Sequence, residues 1–309
     1  MSQTPETYYA HGKLLLTGEY FVLDGAKALA LPLMLGQRME VLPQGEPNQL
    51  KWMAYDHEGE LWMDATYIMP HMDLIGEETP ERLRLQQILL AAGVINPKFL
   101  TDYAGITVKS YLEFPLEWGL GSSSTLVYNI AQWAKVDAFE LLKNTFGGSG
   151  YDIACAAADG PITFQLINGK AIARPVAFKP EYAHQLYFVY LGNKQDSREG
   201  IKRYKSYAKD DFAIYGINMI TEALPTFNRL EQFNLMMDRH EQIVADFLEL
   251  AKVKDLYFDD FPGTVKSLGA WGGDFVLAAT DIERDMVMEY FRDRGYSTVL
   301  SWSSIVISS

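Results

Sequence analysis

The chain has 309 residues, 48% of them hydrophobic and 22% charged, enough for about two domains of roughly 150 residues, each with its own core. Its 27 Lys and Arg against 40 Asp and Glu leave a formal net charge of −13, so it lacks the dense basic footprint that a nucleic-acid partner requires. An anionic ligand has to be held by a locally organised site, because the field of the whole chain repels it. A single cysteine, Cys155, excludes an intramolecular disulfide framework and a cysteine-rich zinc site. The first dozen residues carry no basic segment followed by an apolar one, and no apolar run reaches about 20 residues. The expectation is a cytoplasmic protein without membrane contact.

In chain order, Lys13–Thr17 and Tyr20–Leu23 read as short strands, followed by an Asp24-Gly25 turn. Ala28–Pro32 and Gln37–Leu42 read as further strands. Leu50–Ala54 and Glu60–Met63 flank a polar turn, as a hairpin would. Pro80 opens a helical pattern that runs through Ala92 and closes at Gly93, and Ile106–Leu112 alternates as a strand. From Ser122 the period becomes helical, with Leu126, Val127, Ile130, Trp133 and Ala134 on one face. Strands are expected at Ile162–Ile167 and His184–Leu191, with a domain boundary in the connection Arg174–Pro180. Helices are expected over Glu199–Ala208, Asp211–Leu224 and Thr226–Lys252, where the Met236-Met237 pair reads as core. A strand Phe275–Ala279, a helix Asp281–Arg294 and a strand Ser297–Ile307 complete the reading. The mixture lacks a regular βαβα alternation, which makes the class α+β in two lobes.

Three segments are rich in glycine. The first, Pro115-Leu116-Glu117-Trp118-Gly119-Leu120-Gly121-Ser122-Ser123-Ser124, sits immediately before the amphipathic helix. Glycines let backbone N–H groups turn inward, and a helix N-terminus adds about half a positive charge. Serine is also a good helix cap, but a cap needs one such residue and this loop supplies three hydroxyls. It is neither a Walker A loop nor a dinucleotide fingerprint, since the required lysine and third glycine are missing. The second segment is Gly147-Gly148-Ser149-Gly150-Tyr151-Asp152, whose acidic residue could be a base, a metal ligand or a cap. The third is Lys266-Ser267-Leu268-Gly269-Ala270-Trp271-Gly272-Gly273-Asp274, readable as a plain turn or as a close backbone approach to a ligand. The five histidines show no zinc spacing, and His240-Glu241 fails as a metalloprotease motif because position 244 is Val.

Taken in order, Gly12-Lys13 with Gly18-Glu19-Tyr20, Pro115 to Ser123, Gly150-Tyr151-Asp152 and Gly269-Ala270-Trp271-Gly272-Gly273 resemble the motifs of the GHMP kinase superfamily. The resemblance runs from about Gly12 to Ala279. It implies a two-lobed fold, with a ribosomal protein S5 domain 2-like N-terminal lobe over 1–175 and a ferredoxin-like C-terminal lobe over 176–309. Gly18-Glu19-Tyr20 and Asp274 are most similar to the phosphomevalonate kinase branch, with mevalonate kinases, diphosphomevalonate decarboxylases and a non-catalytic binding protein of the same fold as alternatives.

The resemblance further implies ATP over Gly119, Leu120, Gly121, Ser122, Ser123 and Ser124, with Mg²⁺ near Ser122 or Ser123. Lys13 would neutralise charge on the transferring group and Asp152 would serve as base or hold Lys13. Gly269, Ala270, Gly272 and Gly273 would line the acceptor side, with Lys194, Ser197 and Arg198 as candidates for an anionic group. The partner would be a small phosphoryl acceptor and the chain a monomer or homodimer. Two departures from the superfamily stand out. Ser149 follows Ser124 by only 25 positions, which removes the region that usually supplies an acidic Mg²⁺ ligand. Trp271 stands where a small residue is usual and could crowd the phosphate or substrate side.

Overall fold

The computed structural model describes residues 4–192, 197–269, 271 and 274–307. The chain divides into two compact units, each discontinuous in sequence: Met1–Gly12, Leu35–Leu116 and Leu120–Ala157 form the first, and Lys13–Met34, Glu117–Gly119 and Ala158–Ser309 the second. Strands β1 (Glu6–Thr17) and β2 (Ala28–Leu42) pair with each other, and each runs from one unit into the other. The reading of two short strands at 28–32 and 37–42 thus becomes one long strand, which carries Pro32 within it.

In the first unit, β2 pairs with β6 (Ile106–Leu112) over Gln37–Leu42, and β6 runs parallel to β3 (Gln49–Tyr55). Next come β4 (Leu61–Ile68), the predicted hairpin partner of β3, and the short β5 (Asp73–Ile75). Alternation decides which face is buried. Leu50, Trp52 and Ala54 stand opposite Ile106, Val108 and Ser110, and all six are buried, while Lys51 and Thr107 point to the other face. Helices α1 (Pro80–Ile95), α2 (Ser122–Ala134), α3 (Ala138–Thr145) and α4 (Tyr151–Ala156) supply the residues that pack with this face, among them Ile88, Ile130, Leu141 and Ile153. Thr79 caps α1 ahead of Pro80, whose fixed φ suits a first helical position. The helix continues through Gly93, because burial of Leu85, Ile88, Leu89 and Ala92 outweighs one glycine.

In the second unit, β7 (Ile162–Ile167) pairs with Ala28–Ala30 of β2 and with β8 (Lys170–Pro175). A separate antiparallel sheet has the order β10-β11-β9-β12, with β9 at Leu186–Tyr190, β10 at Thr264–Leu268, β11 at Phe275–Ala279 and β12 at Val299–Ser301. Numbered within that sheet, the order is second, third, first, fourth. Helices α5 (Ser197–Tyr204), α6 (Asp211–Ala223), α7 (Leu230–Leu248) and α8 (Val253–Tyr257) fall between the first two strands, and α9 (Arg284–Asp293) between the last two. This is the ferredoxin-like arrangement. Met237 is fully buried in α7, as expected of core, and no helix among the described residues is long and apolar enough to cross a membrane.

Two elements differ from expectation. Residues 21–24 form a 3-10 turn rather than a strand, because Gly18, Tyr20 and Gly25 all have positive φ (92°, 60° and 89°) and fold the chain back while Phe21 and Val22 stay buried. The strand expected over Ser297–Ile307 stops at Ser301 and gives way to a short helix, α10 (Trp302–Ile305). Trp302 and Ile305, three apart on one helical face, are both buried, and Trp302 packs on Phe178 and Phe188.

The central ring of the first unit is Trp52, 1% exposed, whose indole Nε1–H donates to Ser110 Oγ at 3.2 Å. Trp52→Phe should cost about 1–3 kcal/mol, from the void left by the smaller ring and the hydroxyl left without its donor. Urea unfolding of the variant and parent measures it; a difference near zero would contradict this account of the core.

Candidate functional site

The first glycine-rich segment ends in the helix α2, whose N-cap residue is Gly121 with φ 100° and no side chain to cap the helix. The serines are therefore not caps. They occupy the first turn of α2, where backbone N–H groups and the positive end of the helix dipole lie. The Ser124 hydroxyl is buried and turned back onto the Gly121 carbonyl at 2.9 Å. Ser122 is half-buried and Ser123 exposed. Leu120 is buried, so its part in the loop is its backbone. The second segment repeats the pattern: α4 starts at Gly150 with φ 86° and no side-chain cap, and Asp152 sits in its first turn, accepting from the Ile153 amide at 3.0 Å. Asp152 is thus not the cap of its helix. Val127 and Ile130 of α2 and Ile153 of α4 share the first unit's core, which fixes both helix starts.

Gly119 belongs to the second unit, as does Lys13. The Lys13 ammonium donates to the Gly119 carbonyl at 2.7 Å, which draws the lysine of the first motif onto the glycine of the second across 106 residues. Only glycine fits this position. Its φ is +65°, and a Cβ there would lie 1.8 Å from Asp274 Oδ2. Asp274, which precedes β11, is therefore packed against the same glycine. Trp118 supports the turn from below, edge-on to Phe275 at 5.6 Å.

The second unit also buries a polar cluster. Lys266 of β10, 1% exposed, donates to Glu19 Oε1 at 2.5 Å and to the Ser267 carbonyl at 2.7 Å. His240 of α7 accepts the Gly18 amide on Nε2 at 2.9 Å, which fixes the neutral Nδ1–H tautomer, and the same nitrogen lies 3.3 Å from Glu19 Oε2. Burial, and secondarily Lys266, holds the His240 pKa well below its usual range. Glu241 accepts the Ser267 amide at 3.2 Å and the Ser267 hydroxyl at 3.1 Å, and burial pushes its carboxyl up to about 7. Burial also raises Glu19, with Lys266 pulling the other way. The cluster ties Gly18-Glu19 of the first motif to Lys266-Ser267 of the third through α7. Glu19 and Lys266 were both inside motifs legible in the sequence. His240 and Glu241 were visible only as a failed metal motif.

Gly269 follows β10 with φ +70° and open space where a Cβ would stand. The Trp271 indole donates to the Ala251 carbonyl at 3.3 Å and packs against the cluster formed by Tyr20, Phe21 and Tyr204. Lys194, Ala270, Gly272 and Gly273 lie outside the described residues, as do the side chains of Ser197 and Arg198.

No protein-family model and no curated protein matches the chain. Solved structures do. The mevalonate kinase of Methanococcus jannaschii is 15% identical with a TM-score of 0.70, over 97% of this chain and 98% of its own. The phosphomevalonate kinase of Streptococcus pneumoniae, solved with phosphomevalonate and AMPPNP, is 17% identical with a TM-score of 0.70, over 96% and 99%. A D-glycero-D-manno-heptose 1-phosphate kinase from Bacteroides thetaiotaomicron is 15% identical with a TM-score of 0.68, over 98% and 96%. The chain has the fold of the GHMP kinases. The α+β class expected from the mixed elements and the ferredoxin-like sheet implied by the resemblance are those of this fold.

The polar cluster makes stability depend on pH in two opposed ways. Glu241 is raised from an ordinary 4.5 to about 7, so the folded state binds the extra proton and stability from this group falls as pH climbs through that interval. His240 is depressed, so its contribution is lost as pH falls below its ordinary 6.5. Glu241→Gln removes the first dependence alone. Urea unfolding between pH 5 and 7.5 should show the variant gaining on the parent by about 2–3 kcal/mol as pH rises, at about 1.4 kcal/mol per pKa unit. A pH-independent difference would show that Glu241 titrates normally.

Proposed function

We propose that the chain is a phosphotransferase that moves the terminal phosphoryl group of ATP to a small acceptor, with phosphomevalonate the favoured one. The observation that carries this reading is the hydrogen bond from Lys13 to the Gly119 carbonyl. A kinase of this fold needs a cation at its phosphate loop, and the loop of this chain holds one although the net charge of −13 opposes a polyphosphate. The uncapped first turn of α2 suits phosphate oxygens, since its N–H groups meet no side-chain cap.

The hydroxyls also fit Mg²⁺: Ser124 is spent on Gly121, which leaves Ser122 and Ser123 as the oxygen donors that would hold the ion. Magnesium, when bound, neutralises charge on the polyphosphate. Lys13 stabilises the negative charge that shifts onto the leaving and transferring oxygens. Asp152 orients the acceptor or takes its proton. A phosphate monoester acceptor is already mostly dianionic at pH 7, with a second pKa of about 6, so a base contributes little to that reaction. Phosphomevalonate is preferred over mevalonate because Gly18-Glu19-Tyr20 and Asp274 resemble the phosphomevalonate kinases. Two neighbours by fold, the phosphomevalonate kinase and the heptose 1-phosphate kinase, are also named for phosphorylated acceptors.

The test is Mg²⁺- and ATP-dependent ADP release with phosphomevalonate and with mevalonate. Phosphomevalonate should stimulate release and mevalonate should not. Lys13→Ala should lower kcat by about 100-fold or more, and Asp152→Asn by about tenfold or less. The opposite order of the two variants points to an alcohol acceptor. Absence of stimulation by any phosphorylated acceptor removes the reading.

A further inference from the structure

Tyr20 follows Gly18-Glu19 and occupies an unusual place in the second unit. Its backbone sits at φ 60°, ψ −48°, a region that residues with a side chain rarely adopt and hold only where surrounding contacts impose it. Three contacts do so. The Tyr20 hydroxyl accepts the backbone N–H of Trp271 at 2.8 Å. The ring stacks on Tyr204 of α5, with centroids 5.9 Å apart and planes within 17°, and Tyr204 in turn donates to Asp24 at 2.6 Å. Gly200 of α5 passes so close that a Cβ there would lie 2.5 Å from the phenol oxygen and 2.9 Å from Cε1. Burial raises the Tyr20 pKa, so the ring stays a neutral phenol and keeps its lone pairs for the amide.

One oxygen therefore meets the third glycine-rich segment and, at the distance of a missing methyl group, helix α5. We propose that Tyr20 is a positioning residue, which sets the Trp271 backbone by its hydroxyl and is itself held in a strained backbone conformation by α5. The proposal deepens the kinase reading and rests on it: Trp271 belongs to the segment to which the resemblance gives acceptor binding. Tyr20 acts through that segment on the acceptor, while the Lys13 hydrogen bond to Gly119 is made by other atoms. Its loss should show in acceptor turnover and leave affinity for ATP alone.

Tyr20→Phe removes the hydroxyl and keeps the ring, and Gly200→Ala keeps the hydroxyl and displaces it. Protein labelled with 5-fluorotryptophan reports on Trp271 directly, its ¹⁹F resonance being assigned as the one missing in Trp271→Phe. Both variants should shift or broaden that resonance more than those of the other five tryptophans. Loss of a single hydrogen bond corresponds to a fall in kcat for the acceptor of about three- to tenfold, with the KM for ATP within twofold of the parent. The double variant should be at least as impaired as Tyr20→Phe alone, since Cε1, 2.9 Å from the added Cβ, remains in the phenylalanine ring. An unchanged Trp271 resonance in Tyr20→Phe overturns the proposal. So does a shifted resonance with unchanged turnover, or a change in KM for ATP alone. If the parent turns over no acceptor, the kinase reading fails by that result, and the ¹⁹F comparison still decides whether Tyr20 sets Trp271. Should Tyr20→Phe fail to fold, Gly200→Ala carries the same comparison.

Discussion

The second unit depends on one buried ion pair. Lys266 and Glu19 are both almost fully excluded from water, and neither charge could remain there without the other. Their 2.5 Å contact joins residues 247 positions apart and brings the end of the first glycine motif to the start of the third. The surrounding groups are arranged to keep it: Lys266 also donates to the Ser267 carbonyl, and a neutral His240 rather than another charge sits beside Glu19 Oε2. Removing one partner of such a pair costs several kcal/mol, mostly because the other is left charged and alone.

From that anchor the remaining glycines acquire their places. Gly18, whose amide is taken by His240, turns the chain into the strained Tyr20 and the buried Phe21. Lys13, near the end of the same strand, reaches Gly119, and Gly119 is glycine because the Asp274 carboxylate occupies the space of its missing side chain. The first unit holds two helix starts with glycine caps, at Gly121 and Gly150. The second holds the lysine, the glycine it bonds and the buried polar cluster.

Electrostatics explains why so much local order is needed. A chain of net charge −13 repels a polyphosphate at long range. In the kinase reading proposed above, attraction comes from dipoles and cations held at short range, where backbone N–H groups and one lysine act with little screening. The bulk of Trp271, at a position where the superfamily usually has a small residue, packs against the second unit's apolar cluster with its N–H on a carbonyl.

The sequence by itself determined the elements with a strong period and the loops with a strong composition. The hairpin of β3 and β4, strand β6 and helices α1, α2 and α6 could be read because burial of one face imposes its period on the residues. The phosphate-loop candidate could be read because two glycines running into three serines at a helix start have few other physical uses. The 3-10 turn at 21–24 and the helix α10 could not, since Tyr20-Phe21-Val22-Leu23 is an apolar run, the stretch holding α10 ends in the β-branched Ile305-Val306-Ile307, and only packing selects their backbone. The neutral state of His240, the raised Glu241, the place of Asp274 against Gly119 and the hydroxyl of Tyr20 on Trp271 were decided by the tertiary structure alone. Each depends on groups tens to hundreds of residues apart, and a local pattern holds no record of which distant charge or amide will arrive beside it.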